Sequence, residues 1–169
     1  MIPETDIQQV ITNILKREGG NVDDPLDNGG ETHFGVTIPF AGQWQIPWPP
    51  TLQDARDGYR RMLAGTQIDQ IPDAPTLDLV ADSAVNHGSD IAIKWLQAAL
   101  GGLDVDGKIG RYTMAVMDSW GGSYAGQWPK FHNAILKARG LFYAAIIHND
   151  PTQAKFANGW FSRLFAFLT

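Results

Sequence analysis

The stretch Glu18-Gly19-Gly20-Asn21-Val22-Asp23-Asp24-Pro25-Leu26-Asp27-Asn28-Gly29-Gly30-Glu31-Thr32-His33-Phe34-Gly35-Val36-Thr37 joins the end of a helix to a glycine-rich loop loaded with carboxylates. Upstream of it, Ile7, Val10, Ile11, Ile14 and Leu15 recur at the helical period. They predict an amphipathic helix over residues 5–18, with Gly19 as its stop and Thr5 and Gln8 spaced as a capping box. Glu18 then falls in the last turn, where the negative end of the macrodipole disfavours a further negative charge. Lys16 and Arg17 precede it, but neighbours in sequence point elsewhere on a helix. Burial beneath a substrate would act in the same sense as the dipole. A glutamic acid that keeps its proton is suited to protonating a leaving glycosidic oxygen. Carboxylates held at different depths in a cleft are what hydrolysis of such a bond requires. The plain alternative for Glu18 is a solvated helix end. For Asp23, Asp24 and Asp27 it is turn chemistry, since Asp-Pro and Asp-Asn-Gly are common loop formers. For Asp23 and Asp24 that plain reading is preferred.

Outward from this segment the chain reads as mostly helical. Residues 19–50 are rich in Gly and Pro and read as loop, with Phe34 to Ile38 as a short strand in a small hairpin. Helices are predicted over Leu52 to Ala64, with Thr51 and Asp54 as a second capping box, and over Leu77 to His87, ended by Gly88. Ser89 or Asp90 caps a helix from Ile91 to Leu100, which Gly101-Gly102 ends. A short helix follows near Thr113 to Asp118. Pro129 suits the first turn of a long helix reaching Ile147. A last helix runs from Gln153 to Leu168, with Gly159 as its possible break point. The fold class expected is mainly α, with one small β-hairpin.

With 169 residues the chain is long enough for a real hydrophobic core. It has no Cys, so neither a disulfide framework nor a thiolate metal site is available. The net charge of −5 argues against a general nucleic-acid binder. It also removes long-range attraction to an anionic polymer, so recognition of one would rest on fitted contacts. The first residues lack the basic and apolar regions of a secretory signal, and no run approaches the roughly 20 apolar residues of a membrane span. No membrane insertion is expected.

The four His, at 33, 87, 132 and 148, form no pair at metal-ligand spacing. Neither the 23–31 carboxylates nor Asp104-Val105-Asp106-Gly107 has EF-hand spacing. No metal and no cofactor are expected. No Gly-x-Ser-x-Gly elbow and no phosphate-binding loop of the Walker type occur.

The segment from Glu18-Gly19-Gly20 to Gly35-Val36-Thr37 resembles the signature of glycoside hydrolase family 108, lysozyme-like muramidases common as phage endolysins. Asp82-Ser83-Ala84-Val85-Asn86-His87-Gly88, Ala92 to Gly101 with Trp95 and Leu96, and Val105 to Gly110 with Thr113 look like the predicted peptidoglycan-binding region that follows in that family. Arg139, Phe142-Tyr143 and Phe156 to Arg163 again fit. Arg111 departs from the proline often found at that point. The resemblance spans nearly the whole chain and implies a lysozyme-like helical fold with the hairpin beside an active-site cleft. It implies a catalytic segment over 1–75 and a helical peptidoglycan-binding-like region over 76–169, packed as one compact unit.

For Glu18 the resemblance implies the general acid. Asp27, nine residues on, and Thr32, fourteen on, align with a second carboxylate and a water-placing threonine. The implied reaction is cleavage of the β-1,4 bond between N-acetylmuramic acid and N-acetylglucosamine. The implied partner is bacterial peptidoglycan, met by a monomer made in the host cytoplasm and released through a holin to act in the periplasm. A lytic transglycosylase and a non-catalytic wall-binding or secretion-related module are the rivals. Trp44 and Trp48, in a proline-rich stretch, are candidates for stacking on sugar rings or for anchoring a long loop. Asn86, His87 and Tyr143 are candidates for the cleft. For Asn86 and His87 the helix-end role is the preferred reading, and the Tyr143 ring reads as core with a hydroxyl seeking a polar partner. Trp95, Leu96, Ala99 and Leu100 have helical spacing and read as core.

Overall fold

The computed structural model describes residues 2–19, 32–121 and 125–168. Among them the chain is mainly α, as expected, with the lysozyme-like minimum of β structure, which includes an antiparallel bridge between His33 and Val36. Its contacts divide it into two compact units, Met1–Gln70 and Ile71–Thr169. No helix among the described residues is long and apolar enough to cross a membrane.

The first unit is built on α1 (Glu4–Glu18) and α3 (Leu52–Gly65), with the short α2 (Ile38–Trp44) between them in sequence. Ile7, Val10, Ile11, Ile14 and Leu15 of α1 are all buried, so the predicted apolar face is the real one. It packs against α3, which buries Ala55, Tyr59, Met62 and Leu63. Full burial of each large aliphatic side chain contributes about 1.5–3 kcal/mol. Polar ties cross the same seam. The Arg56 guanidinium donates to the Thr12 hydroxyl (3.2 Å), and Arg60 bridges Glu4 (3.2 Å) and Asp69 (2.9 Å).

The Thr51–Asp54 capping box forms as predicted, each residue's side chain accepting from the other's backbone N–H. The Thr5–Gln8 box does not. Pro3, with its fixed extended φ, is the residue before the helix, so Thr5 lies inside the first turn and no side chain caps α1. Gln8 donates to Glu4 instead (2.9 Å). The loop reading of 19–50 also needs correction. Thr37 accepts from the Phe40 N–H (3.3 Å), Pro39 occupies the first turn, and α2 follows. Its prolines and glycines look like helix breakers, but Pro39 sits where a missing N–H costs nothing. Arg61 of α3 donates to the carbonyls of Trp44 (2.8 Å) and Gln45 (3.2 Å), which end α2.

In the second unit α4 (Ala74–His87), α5 (Ser89–Leu100) and α7 (Trp128–Asn149) pack on one another, joined by α6 (Arg111–Gly121) and α8 (Ala157–Phe165). Asp73 caps α4 (Thr76 N–H, 3.0 Å), so this helix begins ahead of the predicted Leu77. Neither Ser89 nor Asp90 caps α5. Gly88, at φ 87°, makes the bend, and Asp90 pairs with Lys94 (2.7 Å). Pro129 lies in the first turn of α7 as expected. The predicted last helix is divided ahead of Gly159: Pro151–Phe156 form a 3₁₀ turn, and Gly159 lies within α8.

At the centre of this unit, Asp82 of α4 and Arg139 of α7 are both fully buried and joined at 2.8 Å. Arg163 of α8 reaches the other Asp82 oxygen at 2.7 Å. Burial pushes the Asp82 carboxyl up, but the hydrogen bond and charge of Arg163, then those of Arg139, outweigh it and hold it below its ordinary range. Removing one partner of a buried pair strands the other. Asp82→Ala is therefore expected to lose about 3–5 kcal/mol in urea unfolding, and a loss below about 1 kcal/mol would mean that water reaches Arg139.

Candidate active site

Glu18 ends α1, half-buried, and Gly19 at φ 74° turns the chain away from it. The group that covers its side chain comes from the turn His33–Val36. His33 and Val36 exchange both backbone hydrogen bonds (3.1 and 2.9 Å), and Phe34 and Gly35 between them have φ of 55° and 76°. Two successive positive φ values are the mark of the tight type I′ hairpin turn. Gly35 adopts this conformation freely, whereas Phe34 does so at a cost of about 1–3 kcal/mol.

Gly35 is also glycine for lack of room. A Cβ there would lie 2.7 Å from the Tyr59 hydroxyl oxygen and 2.8 Å from Glu18 Cβ, and would also strike Glu18 Cγ. The bare backbone of the turn thus lies directly on the glutamate's methylenes. Tyr59, fully buried on α3, donates from its hydroxyl to the Phe34 carbonyl (2.9 Å), while its ring packs on Phe40 (5.4 Å). One such hydrogen bond contributes about 0.5–1.5 kcal/mol and offsets part of the strain at Phe34.

Thr32 is half-buried and immediately precedes this turn. The Trp48 ring meets the His33 imidazole edge-on at 5.3 Å, which ties the proline-rich stretch to the start of the turn. Trp44 is placed differently. Its ring lies over Gly65 at the end of α3, where a Cβ would come within 2.7 Å of it, and it also meets Phe40 (6.4 Å). That is an anchoring contact. Asp27 lies outside the described residues. The structure therefore brings Glu18, the turn after Thr32, and Trp48 into one neighbourhood of the first unit.

Asn86, His87 and Tyr143 belong to the second unit. The exposed Asn86 turns its amide back to the Asp82 carbonyl (2.8 Å), one helical turn away. His87 is boxed by Trp95 (5.6 Å), Phe142 (5.2 Å) and Tyr143 (5.4 Å). Arg139 donates through Nε to the Tyr143 hydroxyl (2.8 Å), leaving that O–H free to donate to His87 Nε2 (3.2 Å). The polar partners of Tyr143 are thus Arg139 and His87. Burial, then the Arg139 charge, lowers the His87 pKa from 6.5 to about 4, in keeping with a neutral ring that accepts from Tyr143. Among the described residues no three His, Asp or Glu converge as a metal site would require.

Sequence reading missed two residues of the Glu18 neighbourhood, Gly35 and Tyr59. A glycine two residues before the Thr37 cap carries a signal for a tight turn, but nothing in its spacing names the side chain that it accommodates. Tyr59 sits at a core position of α3, where periodicity reports burial and is blind to the hydroxyl.

Residues 11–88 match the family model described as Glycosyl hydrolase 108, and residues 91–165 match that described as Predicted Peptidoglycan domain. The first match contains Glu18, Thr32, Trp48 and Tyr59; the second contains Arg139, Tyr143 and Arg163. Together they support a peptidoglycan hydrolase or peptidoglycan-binding role. No curated protein matches the chain. Among solved structures, SagA of Brucella abortus is similar, with a TM-score of 0.74 and 26% identity over 98% of this chain and 92% of that one.

The depressed His87 has a consequence for stability. The unfolded chain takes up this proton near pH 6.5, whereas the folded chain takes it up only near pH 4. The contribution of the neutral ring is complete above pH 6.5 and is lost as the pH falls from there towards 4. Melting temperatures followed down that window should decline for the wild type and decline less for His87→Phe. Equal slopes for the two would refute the assignment.

Proposed function

We propose that this chain is a lysozyme, an N-acetylmuramidase that hydrolyses the β-1,4 bond between N-acetylmuramic acid and N-acetylglucosamine in bacterial peptidoglycan, with Glu18 as general acid. The observation that carries this reading is the seat of Glu18: a glutamate at the end of a packed helix, half-buried beneath a tight turn, inside the segment that matches Glycosyl hydrolase 108. In the reaction Glu18 gives its proton to O4 of the departing N-acetylglucosamine as the bond to C1 of the muramic acid breaks. Water adds to C1, and a reducing muramic end results. Asp27 takes the role of second carboxylate, balancing the oxocarbenium charge or receiving the proton of water, and Thr32 orients that water. Trp48, fixed beside the turn, offers a face for a sugar ring.

Around this core stand the wider expectations: a catalytic segment over 1–75, a wall-binding region over 76–169, and a monomeric endolysin made in the host cytoplasm that reaches the wall through a holin. His87 and Tyr143 are better read as parts of the second unit's polar interior than as substrate ligands, and the exposed Asn86 as a helix-end group bonded to its own helix, given their partners there.

Digestion of purified sacculi by wild type and Glu18→Gln, with mass spectrometry of the products, tests the proposal. Reducing muramic ends from the wild type are expected, with the variant slower by about 10²- to 10⁴-fold, the usual worth of a general acid. Anhydro-muramic ends would make the enzyme a lytic transglycosylase. Sedimentation with sacculi without any soluble product would leave a binding module.

A further inference from the structure

We propose that Tyr59 is a positioning residue for Glu18: from α3 its hydroxyl pins the Phe34–Gly35 turn onto the side chain of the acid. The inference rests on the reading of Glu18 as the acid. Tyr59 is fully buried in the seam between α3 and α1, beside Phe40, where a phenylalanine would fill nearly the same space. The hydroxyl therefore has another use. It donates at 2.9 Å to the carbonyl of Phe34, a non-glycine residue held at φ 55°. An unsupported turn would tend to relax from that conformation. Gly35, the next residue, lies against both partners, since the point its Cβ would occupy is 2.7 Å from the phenol oxygen and 2.8 Å from Glu18 Cβ. The contact runs without a gap from a rigid helix through one strained turn to the carboxylic acid's own methylenes.

This arrangement restricts the rotamers open to Glu18 and shields one side of it from water. Placement of a reacting group is worth much in rate, with a misplacement of about 1 Å costing up to roughly 100-fold. Tyr59 touches neither bond nor substrate in this scheme. It acts through the turn.

The experiment compares Tyr59→Phe, Phe40→Leu and wild type by sacculus digestion, thermal melting and carboxyl-carbon NMR. The chain has three glutamates, Glu4, Glu18 and Glu31, so the spectrum of protein labelled at the glutamate carboxyl is simple, and Glu18→Gln assigns the line. Tyr59→Phe is expected to lower kcat by about 10- to 100-fold with KM within about twofold, and to move the Glu18 line. Phe40→Leu disturbs the same core while keeping the Tyr59 hydroxyl and the residues of the turn unchanged. It should lower the melting temperature and leave kcat and the Glu18 line in place. Wild-type kcat and an unmoved Glu18 line in Tyr59→Phe would overturn the proposal, and so would equal changes in both variants. Should the wild type release no product, a Glu18 line moved by Tyr59→Phe alone would uphold the positioning while the hydrolase reading fell. An unmoved line would sink both. If Tyr59→Phe does not fold, Gly35→Ala probes the same contact, and an unmoved Glu18 line there would again overturn it.

Discussion

The apolar seam between α1 and α3 is the constraint on which the candidate site depends. Ile7, Val10, Ile11, Ile14 and Leu15 leave α1 no other face to bury, and Ala55, Tyr59, Met62 and Leu63 give α3 the matching one. Once these faces meet, the end of α1 and the middle of α3 are fixed neighbours. Glu18 and Tyr59, 41 positions apart in the chain, then approach the same point from two sides. The turn at Phe34–Gly35 fits between them only because Gly35 has no side chain. A general acid must be held with its proton aimed at one oxygen, and a two-helix seam with a turn clamped over it is a stiff way to do so.

The second unit solves another problem with similar means. Three buried or half-buried ionic groups, Asp82, Arg139 and Arg163, tie α4, α7 and α8 together. Arg139 extends the network through Tyr143 to His87. Such a pair is weak as a source of net stability but costly to break, so it specifies which helices meet more than it strengthens their meeting. Its geometry also accounts for why His87 and Tyr143, polar residues at places that attract a functional reading, are occupied with one another and with Arg139. Gln97 has a comparable part in the loop after α5. It is almost fully buried, donates to Asp106 (2.8 Å) and the Lys108 carbonyl (3.0 Å), and accepts from the Gly107 N–H (2.9 Å).

How legible the fold was depended on the range of the forces involved. The five apolar positions of α1, the Thr51–Asp54 box and Pro129 in the first turn of α7 are local patterns, and each appears where its spacing puts it. The failures are also instructive. Thr5–Gln8 had the spacing of a box, yet Pro3 starts the helix earlier. Pro39 and Gly42 disguised α2, which Thr37 caps and Arg61 closes from another helix. The last helix is divided before Gly159, where a 3₁₀ turn capped by Asp150 runs directly into α8. In each case a cap or a tertiary partner outweighed an average propensity.

The mainly α class, the position of Glu18 at the end of a helix and the glycine-rich, carboxylate-bearing segment after it can all be read from the order of residues alone. These depend on residues close together in the chain, where periodicity and turn chemistry act. What surrounds the glutamate is set by packing between distant parts of the chain. That Gly35 must be bare, that the Tyr59 hydroxyl serves the turn, that Trp48 leans on His33 while Trp44 covers Gly65, and that His87 is held neutral beside Arg139 all depend on contacts between distant segments. Burial at helical spacing reveals that a side chain faces inward. Which atom waits there is set by the neighbouring helix.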